Sequence, residues 1–279
     1  MIHLTFEREV PGRRLLLGDV LIAEGPPPRS AVVVVHGFKG FKDWGFFPHV
    51  ARRLAAAGHA AVVFNFSGAG VGRDTEHFAD LDGFARNTLS RELDELAIVL
   101  ELVRSGELLP RRPRAVGVLG HSRGGGDAIL LAGGGAPVGA LVTWSAVATF
   151  DRWSTETRQE WRERGRIYVL NSRTGQQMPL DVGFLDDFEE NRGRLDVSTA
   201  ARQVTAPWLI VHGTDDFTVP VQEARTLARE APEARLLLIE GAGHTYEVAH
   251  PFERSSSQLD EAIGATLRHF ARHLLGEEA

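Results

Sequence analysis

Residues 115–126 read Ala-Val-Gly-Val-Leu-Gly-His-Ser-Arg-Gly-Gly-Gly, an apolar run that ends in Gly120-His121-Ser122-Arg123-Gly124. The pattern is G-x-S-x-G, and its setting matters more than its letters. The short apolar run before it predicts a strand over 115–119, and the residues after it predict a helix over 123–132. A sharp strand-to-helix turn of this kind holds a serine in a strained conformation at the head of a helix. Gly120 and Gly124 leave that turn free of side-chain clashes. The helix then presents its N-terminal N–H groups to any negative charge that forms near Ser122.

Outward from this turn, strand and helix signals alternate. Residues 2–9 and 15–24 predict a hairpin turned by Pro11-Gly12. Strands are expected at 31–35, 60–66, 138–143, 207–211 and 235–239. Helices are expected at 46–57, 84–105, 222–231 and 259–274, the second with Leu89, Leu93, Leu96, Val99, Leu100 and Val103 on one stripe. Alternation of this kind predicts an α/β fold, with a mostly parallel sheet flanked by helices on both faces. Residues 148–203 break the rhythm. They are rich in Arg, Glu, Trp and Phe and show no clear buried strand, which predicts a small helical insertion over the C-terminal edge of the sheet. Ligand sites in open α/β sheets lie at that edge, so the insertion reads as a lid within one domain spanning 1–279.

A serine is a weak nucleophile until a base takes its proton and a third group orients the base. Two later strands end in suitable residues. The first runs Leu209-Ile210-Val211-His212-Gly213-Thr214-Asp215-Asp216 and supplies two candidate acids. The second runs Leu236-Leu237-Leu238-Ile239-Glu240-Gly241-Ala242-Gly243-His244 and supplies a histidine. The chain order is Ser, Asp, His.

With these motifs the chain resembles the α/β-hydrolase superfamily, from His36 to His244. The resemblance implies a sheet of about eight strands. The family loop H-G-x-x-D-x-x-V-P matches His212-Gly213-Thr214-Asp215-Asp216-Phe217-Thr218-Val219-Pro220 and selects Asp216 over Asp215 as the triad acid. His36-Gly37-Phe38 resembles the family's HG-x loop, which implies an oxyanion hole made by the backbone N–H groups of Phe38 and Arg123. The loop at 38–47, the segment 65–72 and the glycines after Arg123 are similar to bacterial dienelactone-hydrolase-like and cinnamoyl-esterase-like proteins. The implied activity is hydrolysis of carboxylic esters of small to medium acyl groups, through Ser122, His244, Asp216 and an acyl-enzyme. The same triad serves lactones, thioesters, amides, peptides and acyl transfer, so the fold leaves the substrate open. A ligand-binding protein without catalysis on this fold is the distant alternative.

Trp44, Trp144, Phe150, Trp153 and Tyr246 are candidate substrate contacts, Tyr246 being the best placed by its spacing from His244. Core packing is the commoner use of such aromatics. Arg73, Arg123 and Arg173 are candidates to meet a substrate carboxylate. His269 and His273 lie one turn apart on a helix, but with no third ligand in view they read as a solvated face rather than a metal site.

The composition narrows the partners. The 279 residues carry a net charge of −6 and no cysteine, which rules out disulfides and thiolate metal sites. An acidic balance argues against nucleic acid or an anionic membrane as a partner. No basic-then-apolar leader opens the chain and no run is long enough to span a bilayer, which predicts a cytoplasmic protein. The expected partner is a small-molecule acyl substrate, with no metal or organic cofactor, acting as a monomer or homodimer. Of 31 cationic residues only Lys39 and Lys42 are lysines, and both fall in the loop after the 31–35 strand. Lysine and arginine differ in geometry and hydration, so one of the two is expected to anchor this loop or to face substrate.

Overall fold

A computed structural model describes residues 1–12, 14–72 and 77–276. The segment at 73–76, which includes Arg73, lies outside them. The chain opens with the expected hairpin, β1 (Ile2–Val10) and β2 (Arg14–Ile22), turned at Gly12 with φ +86°. Then follow β3 (Ser30–Val35), α1 (Phe47–Ala56), β4 (His59–Asn65), α2 (Leu81–Ala85) and α3 (Leu89–Ser105). The elbow strand is β5 (Ala115–His121), followed by α4 (Arg123–Gly133) and β6 (Ala140–Trp144). Next come α5 (Thr155–Arg164), β7 (Arg166–Leu170), β8 (Gln177–Asp181), α6 (Val182–Glu190) and α7 (Val197–Ala201). The chain closes with β9 (Trp208–Gly213), α8 (Val221–Glu230), β10 (Arg235–Ile239) and α9 (Ser257–Phe270).

Eight strands form one sheet in the order β1-β2-β4-β3-β5-β6-β9-β10. β2 runs antiparallel to its two neighbours, and the pairs from β4 to β10 are parallel. The β-branched run of β3 is buried on both sides, and alternation divides it between two cores. Ala31, Val33 and Val35 face the core built with α3, α4 and α8, whereas Val32 and Val34 face the core built with α1 and α9. Each of these valines, fully buried, contributes about 1.5–3 kcal/mol. From β3 the chain passes to β4 on one side and later to β5 on the other. The crevice at the C-terminal ends of β3 and β5 is therefore a topological switch point, where α/β sheets place their sites.

Two elements differ from the sequence expectation. The helix expected over 84–105 is two helices. α2 ends at Ala85, and Thr88 turns extended to cap α3, its hydroxyl accepting from the Arg91 N–H at 3.3 Å. Phe84 and Leu89 keep the apolar stripe running across the break, so periodicity cannot register it. The segment 148–203 is also not wholly helical. β7 and β8 form an antiparallel hairpin, with Tyr168 and Leu170 exposed. The Ile-Tyr-Val-Leu run and the turn residues that follow it were the available signal, masked because this hairpin packs outside the main sheet.

The two lysines have different fates. Lys42 anchors its loop. Its backbone N–H donates to Asn65 Oδ1 at 2.6 Å, and its ammonium donates to Asp19 and Asp43, both at 2.6 Å. Burial opposes the charge, but the two carboxylates outweigh it and raise the lysine pKa. Lys42→Met leaves Asp19 buried without this cation, with an expected loss of roughly 1–3 kcal/mol in urea unfolding. A loss under about 0.5 kcal/mol would mean the pair is neutral to stability.

Candidate active site

The sheet's C-terminal edge gathers side chains that lie far apart in sequence. Ser122 stands between β5 and α4 at φ +57°, ψ −121°, a region costly for a residue with a Cβ. Backbone bonds enforce it: the Ser122 N–H donates to the Trp144 carbonyl at 2.9 Å, and its carbonyl accepts from Gly125 at 3.0 Å. The glycines flanking the turn are required by contact. A Cβ on Gly124 would lie 2.3 Å from the His36 carbonyl oxygen, and one on Gly37 would lie 2.9 Å from Ser122 Cβ. The loop after β3 is thus packed directly on the serine turn.

His244, after β10, reaches both partners. Its Nε2 accepts from the Ser122 hydroxyl at 3.0 Å and its Nδ1–H donates to Asp216 Oδ2 at 2.8 Å. This tautomer follows from the acceptor-only carboxylate. Asp216 follows β9 and is buried, and its second oxygen accepts the amides of Thr218 at 2.9 Å and Val219 at 2.8 Å. Burial opposes its ionisation, but the His244 bond, the Val219 amide and the nearby imidazoles prevail and hold its pKa below the ordinary value. Asp215 is exposed and turns away, its N–H donating to the Ala242 carbonyl at 3.0 Å.

These groups open on a cavity of about 710 Å³ lined by Phe38, Trp44, Ser122, Arg123, Phe150, Trp153 and His244, among others. The Phe38 and Arg123 amides donate to no acceptor among the described residues. Residues 148–203 supply Phe150, Trp153, Val169, Leu180 and Phe184 to the wall. Of the five aromatics singled out from the sequence, Trp44, Phe150 and Trp153 line this cavity. Trp144 and Tyr246 do not. Both are buried in the core beneath the site, with ring centroids 5.3 Å apart. Trp144 donates to Thr266 at 2.9 Å and Tyr246 to the Val211 carbonyl at 3.3 Å. A position two residues past His244 follows a tight turn, which aims Tyr246 inward rather than across the pocket.

A polar cluster behind the serine escaped the sequence reading. The Arg123 guanidinium donates to Glu92 Oε1 at 2.8 Å and lies 4.5 Å from the Phe38 ring centroid. Asn87 also donates to Glu92, at 2.7 Å. Asp127, one turn beyond Arg123, is fully buried, and neither of its oxygens has a hydrogen-bond partner among the described residues. Burial first, then repulsion from Glu92, raises its pKa well above the ordinary carboxylate value. One acid inside the apolar helix 123–132 was the available signal. The His269 and His273 ring centroids lie 4.6 Å apart with the rings tilted by 56°, and no group of metal-binding side chains occurs among the described residues.

Four buried histidines, His36, His59, His121 and His212, are pushed toward the neutral form by burial. Burial lowers His36 and His59 to about 4 and His121 to about 3. An unfolded histidine titrates near 6.5, so between about pH 6.5 and 4 the unfolded chain binds protons that the native state refuses. Stability is therefore complete above pH 6.5 and falls as pH drops, by up to about 1.4 kcal/mol per pH unit for each histidine. Chemical denaturation at pH 7.5, 6.0, 5.0 and 4.5 measures this slope. A flat profile would show that these side chains ionise without unfolding.

Comparison with known proteins agrees with this architecture. The sequence pattern of the alpha/beta hydrolase family matches residues 32–257. A 2,6-dihydropseudooxynicotine hydrolase from Paenarthrobacter nicotinovorans is 26% identical over 223 residues, covering 79% of this chain and 53% of the relative. The chain thus spans about half the length of that curated relative. Among solved structures, Est1E from Butyrivibrio proteoclasticus with ferulic acid bound superposes with TM-score 0.72 at 18% identity, covering 98% of this chain and all of that one. A dienelactone hydrolase from Anabaena variabilis superposes with TM-score 0.61 at 18% identity, covering 97% and 99% of the two chains. At such identities the likeness shows the fold. No helix among the described residues is long and apolar enough to cross a membrane.

Proposed function

Because this chain belongs to the alpha/beta hydrolase family, we propose that it is a serine hydrolase cleaving carboxylic esters of small to medium acyl groups. The observation that carries this reading is the continuous hydrogen-bonded chain from Ser122 through His244 to Asp216, facing a cavity of about 710 Å³. Ser122 Oγ attacks the ester carbonyl carbon while His244 Nε2 takes its proton. Asp216 holds the imidazole in the required tautomer and stabilises its charged form. The N–H groups of Phe38 and Arg123 receive the oxyanion, each worth about 3–4 kcal/mol in the transition state, and the N-terminus of α4 adds its dipole. Collapse of the intermediate breaks the bond to the alcohol, which leaves with the proton from His244. Water then gives a proton to His244 and attacks the acyl-enzyme, and the carboxylic acid and free Ser122 are restored. Residues 148–203 act as a cap, since they supply a wall of the cavity.

Turnover of p-nitrophenyl esters from acetate to palmitate, with methyl ferulate, tests the reading, with Ser122→Ala as the control. Ser122-dependent activity that peaks at short to medium chains supports it. Absence of activity above the variant on every ester would overturn the ester assignment.

A further inference from the structure

The protein is acidic, with 37 Asp and Glu against 31 Lys and Arg, yet its cavity has the opposite character. Lys39, Arg123, Arg152 and Arg173 line it, and no Asp or Glu does so among the described residues. Two of these cations carry a carboxylate behind the wall: Arg123 pairs with Glu92, and Arg152 pairs with Glu223. The Arg173 guanidinium lies 5.9 Å from the Phe41 ring centroid. Lys39 is different. Its ammonium donates to the Leu170 carbonyl at 3.1 Å, lies 5.6 Å from the Phe38 ring centroid, and meets no carboxylate among the described residues.

An ammonium has three donors, and a neutral carbonyl engages one of them. Half-burial leaves the rest only partly hydrated, and desolvation holds the lysine pKa below its ordinary value. In such a setting an anion is the partner that gains most. The position is also fixed at both ends. Lys39 adopts φ +57° in a turn closed by the Gly40 N–H on the Gly37 carbonyl at 3.0 Å. Its head is tied to the end of β7 in the cap. The ammonium therefore spans from the loop bearing the Phe38 amide to the cap hairpin, over the reaction cavity. In a chain where nearly every cation is arginine, Lys42 is taken up by Asp19 and Asp43, and Lys39 is not.

We propose that the substrate is an ester that itself bears a carboxylate, and that Lys39 is the residue that selects it. This rests on the esterase reading of the same site. A positive wall within an acidic molecule also concentrates anions at the serine.

The test compares matched esters. Hemisuccinate against butyrate p-nitrophenyl esters places the charge on the acyl side. 3-Carboxyphenyl acetate against 3-carbamoylphenyl acetate places it on the leaving group. The wild-type protein is expected to favour the charged member of one pair by roughly tenfold in kcat/KM, the weight of one charge-assisted hydrogen bond. Lys39→Met should bring that ratio near one, and Lys39→Arg should restore part of it. A wild-type ratio near one in both pairs, or a ratio unchanged in Lys39→Met, overturns the proposal. If no ester is turned over at all, the esterase reading has failed, and binding decides the charge question alone. Benzoate and benzamide are then compared by quenching of Trp44 and Trp153 fluorescence. Tighter benzoate binding that is lost in Lys39→Met upholds Lys39 as the residue that selects a carboxylate in this cavity, and equal binding of the two, or a benzoate preference that persists in Lys39→Met, overturns it.

Discussion

Ser122→Ala is expected to lower kcat by at least about four orders of magnitude, because every later step depends on the bond that Oγ forms. The fold should be indifferent to the change. Ser122 Oγ bonds only His244 among the described residues, and the strained backbone is held by main-chain bonds that alanine keeps. Ser122→Gly separates the two roles further. At φ +57°, ψ −121° glycine escapes the penalty that any side chain incurs. This variant should be equally inactive yet more stable by about 1 kcal/mol, seen as a small rise in Tm. Turnover in Ser122→Ala within tenfold of the wild type would remove the serine from the mechanism. A fall in Tm for Ser122→Gly would show that the turn is not strained.

The second large effect is predicted at Asp216. Asp216→Asn preserves size but replaces an acceptor by an amide, so Nδ1 of His244 loses the charge that fixes its tautomer. The expected loss in kcat is about three to four orders of magnitude, with KM little changed. Asp215→Asn is the control. Among the described residues its side chain hydrogen-bonds only the Thr214 hydroxyl, at 3.2 Å, and is exposed, so its kcat should stay within a few-fold. Comparable losses in the two variants would mean that the loop, rather than one carboxylate, supports catalysis. Asp216→Asn should also lose the stability that a depressed carboxylate pKa provides above the unfolded value near 3.9.

The backbone of the site was legible because it depends on local rules. A short apolar run before a glycine-flanked serine specifies a strand, a turn and a helix from neighbouring residues alone. Asp216 and His244 were legible as residues just past strand ends, where a parallel sheet delivers its loops to one edge. The separation of α2 from α3 was not legible, because the apolar stripe of Phe84 and Leu89 runs unbroken across the Thr88 cap. The β7–β8 hairpin was missed because it is half-exposed and lies outside the sheet whose burial makes strands conspicuous.

Side-chain destinations divide in the same way. Trp44, Trp144, Phe150, Trp153 and Tyr246 are alike as apolar rings near strand ends, and the sequence has no measure of which way each loop turns. Only packing sends Trp144 and Tyr246 beneath the site and leaves the other three on the cavity wall. The same holds for charge. Lys39 and Lys42 are three residues apart, yet one is neutralised by two carboxylates and the other faces the cavity. By itself the sequence determined the α/β architecture and the residue types able to form a serine, histidine and acid relay, since periodicity and turn chemistry act over a few residues. Tertiary structure alone decided the charge of the cavity, the burial of Asp127 behind the serine, and which aromatic rings line the cavity. Those properties depend on distances between segments far apart in the chain, and no local pattern encodes them.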